Sequence, residues 1–293
     1  MTRVLLLGAG GMLGRDLQAM SPARIVLIPA SHHDVEVTDQ ASVEQAVVAA
    51  RPDVVINAAA YTDVDGAETD RERAHAVNGL APGIIGHAAA RAGAAVIHYS
   101  TDYVFTGTHG QPLREDDALQ PLNYYGTTKV EGERALAASG ARYRIIRTQW
   151  LFGIHGRSFP RTMWERAKRG EQTRVVNDQF GRPTYTRDLA RATWSLLGRV
   201  GSAGPVLHVA NSGITNWYEV ARRVFRSAGA EQLLSPCTSA DFPRPAKRPA
   251  WSALDTARHE SLAGSALPPW EDALDRFLEE LSLESRPEGR ARP

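Results

Sequence analysis

The chain has 293 residues, 43% of them hydrophobic and 23% charged, an ordinary balance for a globular protein with a large buried core. A formal net charge of +1 supplies no global field to recruit nucleic acid or an anionic membrane. Cys237 is the only cysteine, which excludes a disulfide framework and a cysteine-rich zinc site and fits a reducing cytoplasm. No apolar run approaches the roughly 20 residues of a membrane-spanning helix. The apolar run at residues 4–7 ends in GAGG and is too short for a secretory leader, so it reads as a first buried strand.

In chain order, residues 3–8 (RVLLLG) predict that strand and residues 11–20 a helix. Residues 24–28 (RIVLI) predict a second strand, 42–50 a helix, and 52–60 (PDVVINAAA) contain a third strand. The alanine-rich stretch 70–91 is helical, 94–100 (AAVIHYS) is a fourth strand, 124–139 a helix and 143–148 (YRIIRT) a fifth strand. Short apolar strands alternating with helices predict an α/β fold, a Rossmann-type doubly wound parallel sheet covered on both faces.

The order loosens after Trp150. Helices are expected at 159–169, 187–199 and 216–228, the last capped by Asn216, with short strands at 175–178 and 206–210. The run DFPRPAKRP at 241–249 must be extended or irregular, and a final amphipathic helix is expected at 270–283. Residues 1–150 thus read as a dinucleotide-binding domain. Residues 151–283 read as mainly a smaller α/β substrate-binding lobe, with segments free to return to the first domain, and 284–293 as a disordered tail. Trp164, Trp194, Trp217 and Trp270, at helix-like spacing, are expected to be packing residues.

Gly8, Gly11 and Gly14 frame the turn GAGGMLG between the first strand and the first helix. Glycines there permit close backbone approach to a pyrophosphate, which the free N–H groups of the helix start would bind. Met12 and Leu13 lie in the same turn, and Ala59, Ala60 and Tyr61 end the third strand where it would border a cofactor. The choice between NADH and NADPH stays open: Ser31, His32 and His33 follow the second strand, where an acid or an arginine would have decided it. Asp39 either contacts the adenine side or caps the next helix.

The stretch NYYGTTK (123–129) offers two tyrosines before a lysine. Tyr125 and Lys129 are four apart and share a helix face, whereas Tyr124 diverges. A phenol near an ammonium can serve as proton donor to a carbonyl undergoing reduction. Thr101, in YSTDYVF, stands at the carboxyl edge of the sheet, where it can hydrogen-bond the same oxygen.

These motifs, with NAAAYTDVDGAE, RTQWLFG, DQFGRPT and the late RPAWSALDT, resemble the dTDP-4-dehydrorhamnose reductases, extended short-chain dehydrogenase/reductases, from residue 1 to about residue 283. The resemblance implies a catalytic trio of Thr101, Tyr125 and Lys129, the last also binding the nicotinamide ribose and lowering the tyrosine pKa. It implies NADPH or NADH as cofactor and a dTDP-4-keto-6-deoxysugar as substrate, with Asp102, Tyr103, Trp150 and Gln179 on the substrate side. The resemblance also brings, for some members of the family, a homodimer with a Mg2+ ion held by glutamates at its interface. Asp16 falls at one such metal position, but the second falls at Arg187, beside Asp188, which argues against the ion.

Three departures bear on function. Tyr103 follows Asp102 where related dehydratases carry a glutamate, which disfavours dehydration. Cys237, in SPCTSADF, reads as a small buried or loop residue rather than the cysteine of epimerising reductases. Trp251 replaces an asparagine of the family's late motif, a change expected at the substrate pocket. The alternatives are a 4-ketoreductase for another dTDP-deoxysugar and a non-catalytic nucleotide-binding regulatory subunit.

Overall fold

The computed structural model describes residues 1–107, 110–200 and 204–284; the expected tail at 285–293 lies outside the described residues. The first half runs β1 (Thr2–Leu7), α1 (Met12–Ala19), β2 (Ile25–Ala30), α2 (Gln40–Ala50), β3 (Val54–Asn57), α3 (Arg71–Ala74), α4 (Ala81–Arg91), β4 (Ala95–Thr101), α5 (Tyr124–Ala138) and β5 (Arg142–Thr148). The second half runs β6 (Leu151–Phe152), α6 (Phe159–Lys168), β7 (Thr173–Val176), β8 (Phe180–Gly181), β9 (Thr184–Tyr185) and α7 (Thr186–Leu196). It continues with β10 (Val206–His208), β11 (Thr215–Asn216), α8 (Trp217–Ser227), β12 (Leu234–Cys237), α9 (Ala257–Ala263) and α10 (Trp270–Glu284).

Six parallel strands form the main sheet in the order β10-β5-β4-β3-β1-β2. Alternation of side chains divides its apolar residues between two faces. On one, Val4, Leu6, Ile56 and Ile97 meet Leu13 and Leu17 of α1 and Leu189 and Trp194 of α7. On the other, Leu5, Leu7, Val55 and Val96 meet Val43 and Val47 of α2, Ile85 of α4 and Leu136 of α5. This is the doubly wound Rossmann-type arrangement. Strand order reverses between β1 and β3, and the crevice at such a switch point is where open α/β sheets bind ligands.

The sixth strand, β10, comes from beyond residue 150 and pairs with β5 through Val206↔Ile145 and His208↔Arg147. The rest of the second half has its own core, in which Phe152, Met163, Trp164, Tyr185, Phe225, Trp270 and Phe277 are buried together. Three two-stranded pieces, β11-β8, β12-β7 and β6-β9, frame it. Asn216 caps α8 as expected, accepting from the Glu219 N–H at 2.9 Å.

The helix expected at 70–91 is interrupted. A π-helical segment, His75–Leu80, joins α3 to α4. Its Asn78 turns inward, donating to the Tyr61 carbonyl at 2.9 Å and accepting from the Tyr61 N–H at 2.9 Å. The extra residue of a π-turn re-aims a side chain, here one that clamps the loop after β3.

Candidate active site

Tyr125 lies in the first turn of α5, whose start is fixed by Asn123. The Asn123 side chain accepts from the Gly126 N–H at 2.8 Å and donates to the Lys247 carbonyl at 2.8 Å. The helix thereby turns Tyr125 and Lys129 inward, 9% and 2% exposed. Tyr124 is half-buried elsewhere, with the Arg71 guanidinium 4.7 Å from its ring centre. Tyr125 packs edge-on against Tyr103, with ring centres 5.8 Å apart.

Thr101 ends β4 and begins a short turn, accepting from the Tyr103 N–H at 3.2 Å and donating to Asp102 Oδ1 at 2.9 Å. The Tyr125 hydroxyl lies near the Thr101 side chain, whose polarity favours the phenolate. Burial, then the neighbouring Asp102, push the Tyr125 pKa up, so the phenol keeps its proton. Burial also raises Asp102 itself to about 6, against the hydrogen bond from Thr101 that favours the carboxylate.

Lys129 departs from the sequence expectation that it lowers the tyrosine pKa. Its Nζ donates to the Tyr99 carbonyl at 2.7 Å and lies 3.5 Å from His98 Nε2. Burial lowers Lys129 to about 8 and holds His98 well below its ordinary value. The ammonium is therefore spent on the β4 backbone rather than on the phenol.

The glycine turn lies across the β1/β3 switch point. Gly8 has φ +78°, and a Cβ there would stand 2.5 Å from the Ala59 nitrogen. A Cβ on Gly14 would stand 2.3 Å from the Gly8 carbonyl oxygen. The turn thus packs directly on Ala58–Ala59 in a form closed to larger residues. Gly11 precedes α1 and no side chain caps the helix, so its first N–H groups remain available to a pyrophosphate. Met12 and Leu13 sit in the first turn of α1, and Ala60 and Tyr61 continue the facing loop held by Asn78. These residues fit a dinucleotide. Ser31 is engaged locally, its hydroxyl donating to Asp34 Oδ2 at 2.7 Å, while His32 and His33 are exposed. Asp39 takes the capping alternative, accepting from the Ala41 N–H at 2.9 Å.

On the other side of Tyr103 a cavity of about 380 Å³ opens into the second lobe. Gln179 lines it, as do Trp217, Phe242 and the cations Arg166, Arg174, Arg244 and Arg248. Arg248 pairs with Asp65 through both terminal nitrogens and donates to the Ala246 carbonyl at 2.6 Å. Trp150, just past β5, has φ +50°, strained for a bulky residue. Its ring stacks on Trp217 with centres 3.7 Å apart and planes 12° apart. Trp217 is therefore part of the cavity wall, whereas Trp164, Trp194 and Trp270 are buried packing residues. Trp251 does not line this cavity: it donates to the Gln111 carbonyl at 2.9 Å and packs on Phe180.

Residues 1–283 match the protein family described as the RmlD substrate binding domain. The chain belongs to that family. A dTDP-4-dehydrorhamnose reductase of Mycobacterium tuberculosis is 41% identical over 286 residues, covering 94% of this chain and 92% of the relative. A probable dTDP-4,6-dihydroxy-2-methyloxan-3-one 4-ketoreductase of Streptomyces antibioticus is 40% identical over 294 residues, covering 97% and 98%. The solved structure of dTDP-4-dehydrorhamnose reductase from Bacillus anthracis in complex with NADP superposes with a TM-score of 0.90 at 34% identity, covering 95% of this chain and 99% of that one.

The metal position implied by the resemblance to the dTDP-4-dehydrorhamnose reductases does not suit a divalent ion. Asp16 of α1 is 1% exposed, and its Oδ2 accepts from the Thr186 hydroxyl. Arg187 Nε stands 3.6 Å from Oδ1. Asp188 is occupied by Arg276, at 3.0 and 2.6 Å, and by Asn211 Nδ2 at 2.8 Å. Among the described residues no group of three or more His, Cys, Asp or Glu side chains stands in metal-binding geometry.

Asn78, Asn123, Trp217 and the Asp65–Arg248 pair were not singled out from sequence as parts of this site. Asn123 alone carried a local signal, an Asn directly before a helical stretch. The others act through contacts with residues far away in the chain.

Proposed function

We propose that this chain reduces the C4 ketone of dTDP-4-dehydro-L-rhamnose to the alcohol of dTDP-L-rhamnose, using NADPH or NADH. One observation carries the reading. Tyr125, beside Thr101, stands at the carboxyl edge of the sheet, and its neighbour Tyr103 lines an arginine-rimmed cavity. The uncapped glycine turn at the β1/β3 switch point offers a dinucleotide site on the same edge. The named activities of the relatives support the reading, as does NADP in the Bacillus anthracis structure.

When bound, the reduced nicotinamide supplies the hydride for C4. Tyr125 gives its phenolic proton to the oxygen that becomes the alcohol, and its raised pKa keeps that proton in place beforehand. The direction of the Thr101 hydroxyl depends on Asp102. An ionised Asp102 accepts the hydrogen bond of the Thr101 hydroxyl; a neutral Asp102 can instead donate to Thr101 and leave the threonine O–H free to donate to the ketone oxygen. Lys129 braces the β4 edge against α5 through its bond to the Tyr99 carbonyl. In the cavity, Arg166, Arg174, Arg244 and Arg248 suit a diphosphate, and Trp217 and Phe242 offer flat faces to a pyrimidine.

Asp102 gives a pH prediction. A carboxyl raised from 3.8 to about 6 holds its proton more tightly folded than unfolded. Its contribution to stability is full below the lower value and is lost as pH rises to the upper one. Asp102→Asn cannot ionise, so between about pH 5 and pH 7 the variant is expected to gain on the order of 1 kcal/mol relative to wild type. Denaturant midpoints at the two pH values read this directly. Identical pH slopes for both proteins would contradict it.

A second reading, a 4-ketoreductase for another dTDP-deoxysugar, is favoured by the similarity to the Streptomyces antibioticus relative. Purified protein supplied with dTDP-4-dehydro-L-rhamnose and either reduced cofactor separates the two. Rapid loss of nicotinamide absorbance with formation of dTDP-L-rhamnose supports the first reading. Turnover only with a different dTDP-4-keto sugar supports the second.

A further inference from the structure

Asp16 presents an unusual pair of oxygens. Oδ2 is satisfied by Thr186, while Oδ1 is buried with no hydrogen-bond partner. Two groups face that bare oxygen, Arg187 Nε at 3.6 Å and His155 Nε2 at 3.8 Å. The other side of the Arg187 guanidinium is fixed, for its NH1 donates to Glu280 of α10. The Tyr185 hydroxyl donates to the same Glu280 oxygen at 3.1 Å. One cation from the start of α7 thus lies between an acid of the Rossmann-type sheet's first helix and an acid of the last helix.

Two carboxylates flanking one positive centre is an arrangement that a hard divalent cation could also satisfy, given further oxygen ligands. Here the centre is a guanidinium, and its charge opposes entry of Mg2+ between the same acids. The neighbouring Asp188 cannot swing in to help, since Arg276 and Asn211 hold both its oxygens. We propose that Arg187 is a built-in cation that ties Asp16 of α1 to Glu280 of α10, occupying the position a divalent ion would fill and removing any need for one. The tie joins the helix that begins at the glycine turn to the core of the second lobe. Its strength is moderate because Arg187 and Glu280 are 33% and 27% exposed and partly screened by water.

The proposal makes the site's response to metal depend on residue 187. Wild type, Arg187→Gln and Arg187→Glu are freed of metal with chelator and melted with and without millimolar MgCl2, ionic strength being matched with KCl. Wild type is expected to show the same Tm in both. Arg187→Gln is expected to melt about 2 °C lower in chelator, the shift of a roughly 1 kcal/mol loss in a chain of this size, and to recover at most part of that loss with Mg2+, because only two carboxylates then flank the vacated position. Arg187→Glu places a third carboxylate beside Asp16 and Glu280, so its Tm is expected to fall further in chelator and to recover on adding Mg2+.

A Mg2+-dependent rise in the wild-type Tm that Asp16→Asn abolishes would overturn the proposal. So would an unchanged Tm for Arg187→Gln, or an Arg187→Glu protein that folds and ignores Mg2+. Because wild type and Arg187→Gln carry two of these outcomes, the test survives a failure of Arg187→Glu to fold. Every readout is a melting temperature, so the result is independent of which sugar the protein reduces.

Discussion

Replacing Tyr125 by phenylalanine is expected to lower turnover by about 10²- to 10⁴-fold, the usual range for a positioned proton donor. The ring is buried and packs edge-on against Tyr103, so its shape is retained and only the hydroxyl is lost. That hydroxyl lies beside Thr101 and is kept protonated by burial. Cofactor affinity, read by fluorescence titration of NADPH, is expected to change little, because the glycine turn and the N-terminus of α1 are untouched. Tyr124→Phe is the control. Tyr124 meets Arg71 through its ring face, a contact phenylalanine preserves, so near-normal turnover is expected. If Tyr124→Phe were the crippling change and Tyr125→Phe the mild one, the proposed proton path would be wrong.

The largest effect on stability is expected at a buried ion pair beneath the same helix. Arg147 of β5 bonds Glu133 of α5 through two parallel contacts, Nε to Oε1 at 2.9 Å and NH2 to Oε2 at 2.7 Å. The side chains are 3% and 5% exposed. Arg147 also donates to the Glu115 carbonyl at 3.1 Å and lies over the Phe105 ring at 5.1 Å. Nearby His208 is pushed down to about 3 by burial and by Arg147, so it adds no competing charge.

Arg147→Met would leave Glu133 buried without its partner, at an expected cost of about 3–5 kcal/mol. Removing both charges together, Arg147→Met with Glu133→Leu, is expected to recover much of that loss, since apolar pairs of similar volume often match a buried ion pair. Urea midpoints of the single and double variants measure the coupling. A single variant that loses less than about 1 kcal/mol would show the pair to be dispensable.

The alternation of strand and helix was plain in the sequence because each strand is a short apolar run and each helix follows at close range. Helix geometry alone placed Tyr125 and Lys129 on one face, since a spacing of four is a local property, and the structure turns that face inward. What lay beyond reach was set by distant partners. The direction taken by the Lys129 ammonium depends on the Tyr99 carbonyl, 30 residues earlier, and the expected pull on the phenol gave way to that bond. Trp217 looked like a helix packing residue until Trp150, on a strained turn, stacked against it. The sixth strand of the sheet, β10, was read only as a short strand of the loosened region, because its partner β5 lies some 60 residues away. Arg187 was legible as a poor metal ligand, but its bond to Glu280 depends on how α10 docks.

The central claim is hydride transfer to C4 of a dTDP-4-keto-6-deoxysugar, and isotope tracing tests it most directly. NADPH or NADH carrying deuterium at the transferable C4 position is mixed with dTDP-4-dehydro-L-rhamnose and the protein, and the product sugar is analysed by mass spectrometry and NMR. The expected result is one deuterium per product molecule, located at C4 of dTDP-L-rhamnose, with product formation strongly reduced by Tyr125→Phe. Failure to oxidise either cofactor, or a product bearing deuterium anywhere other than C4, would contradict it.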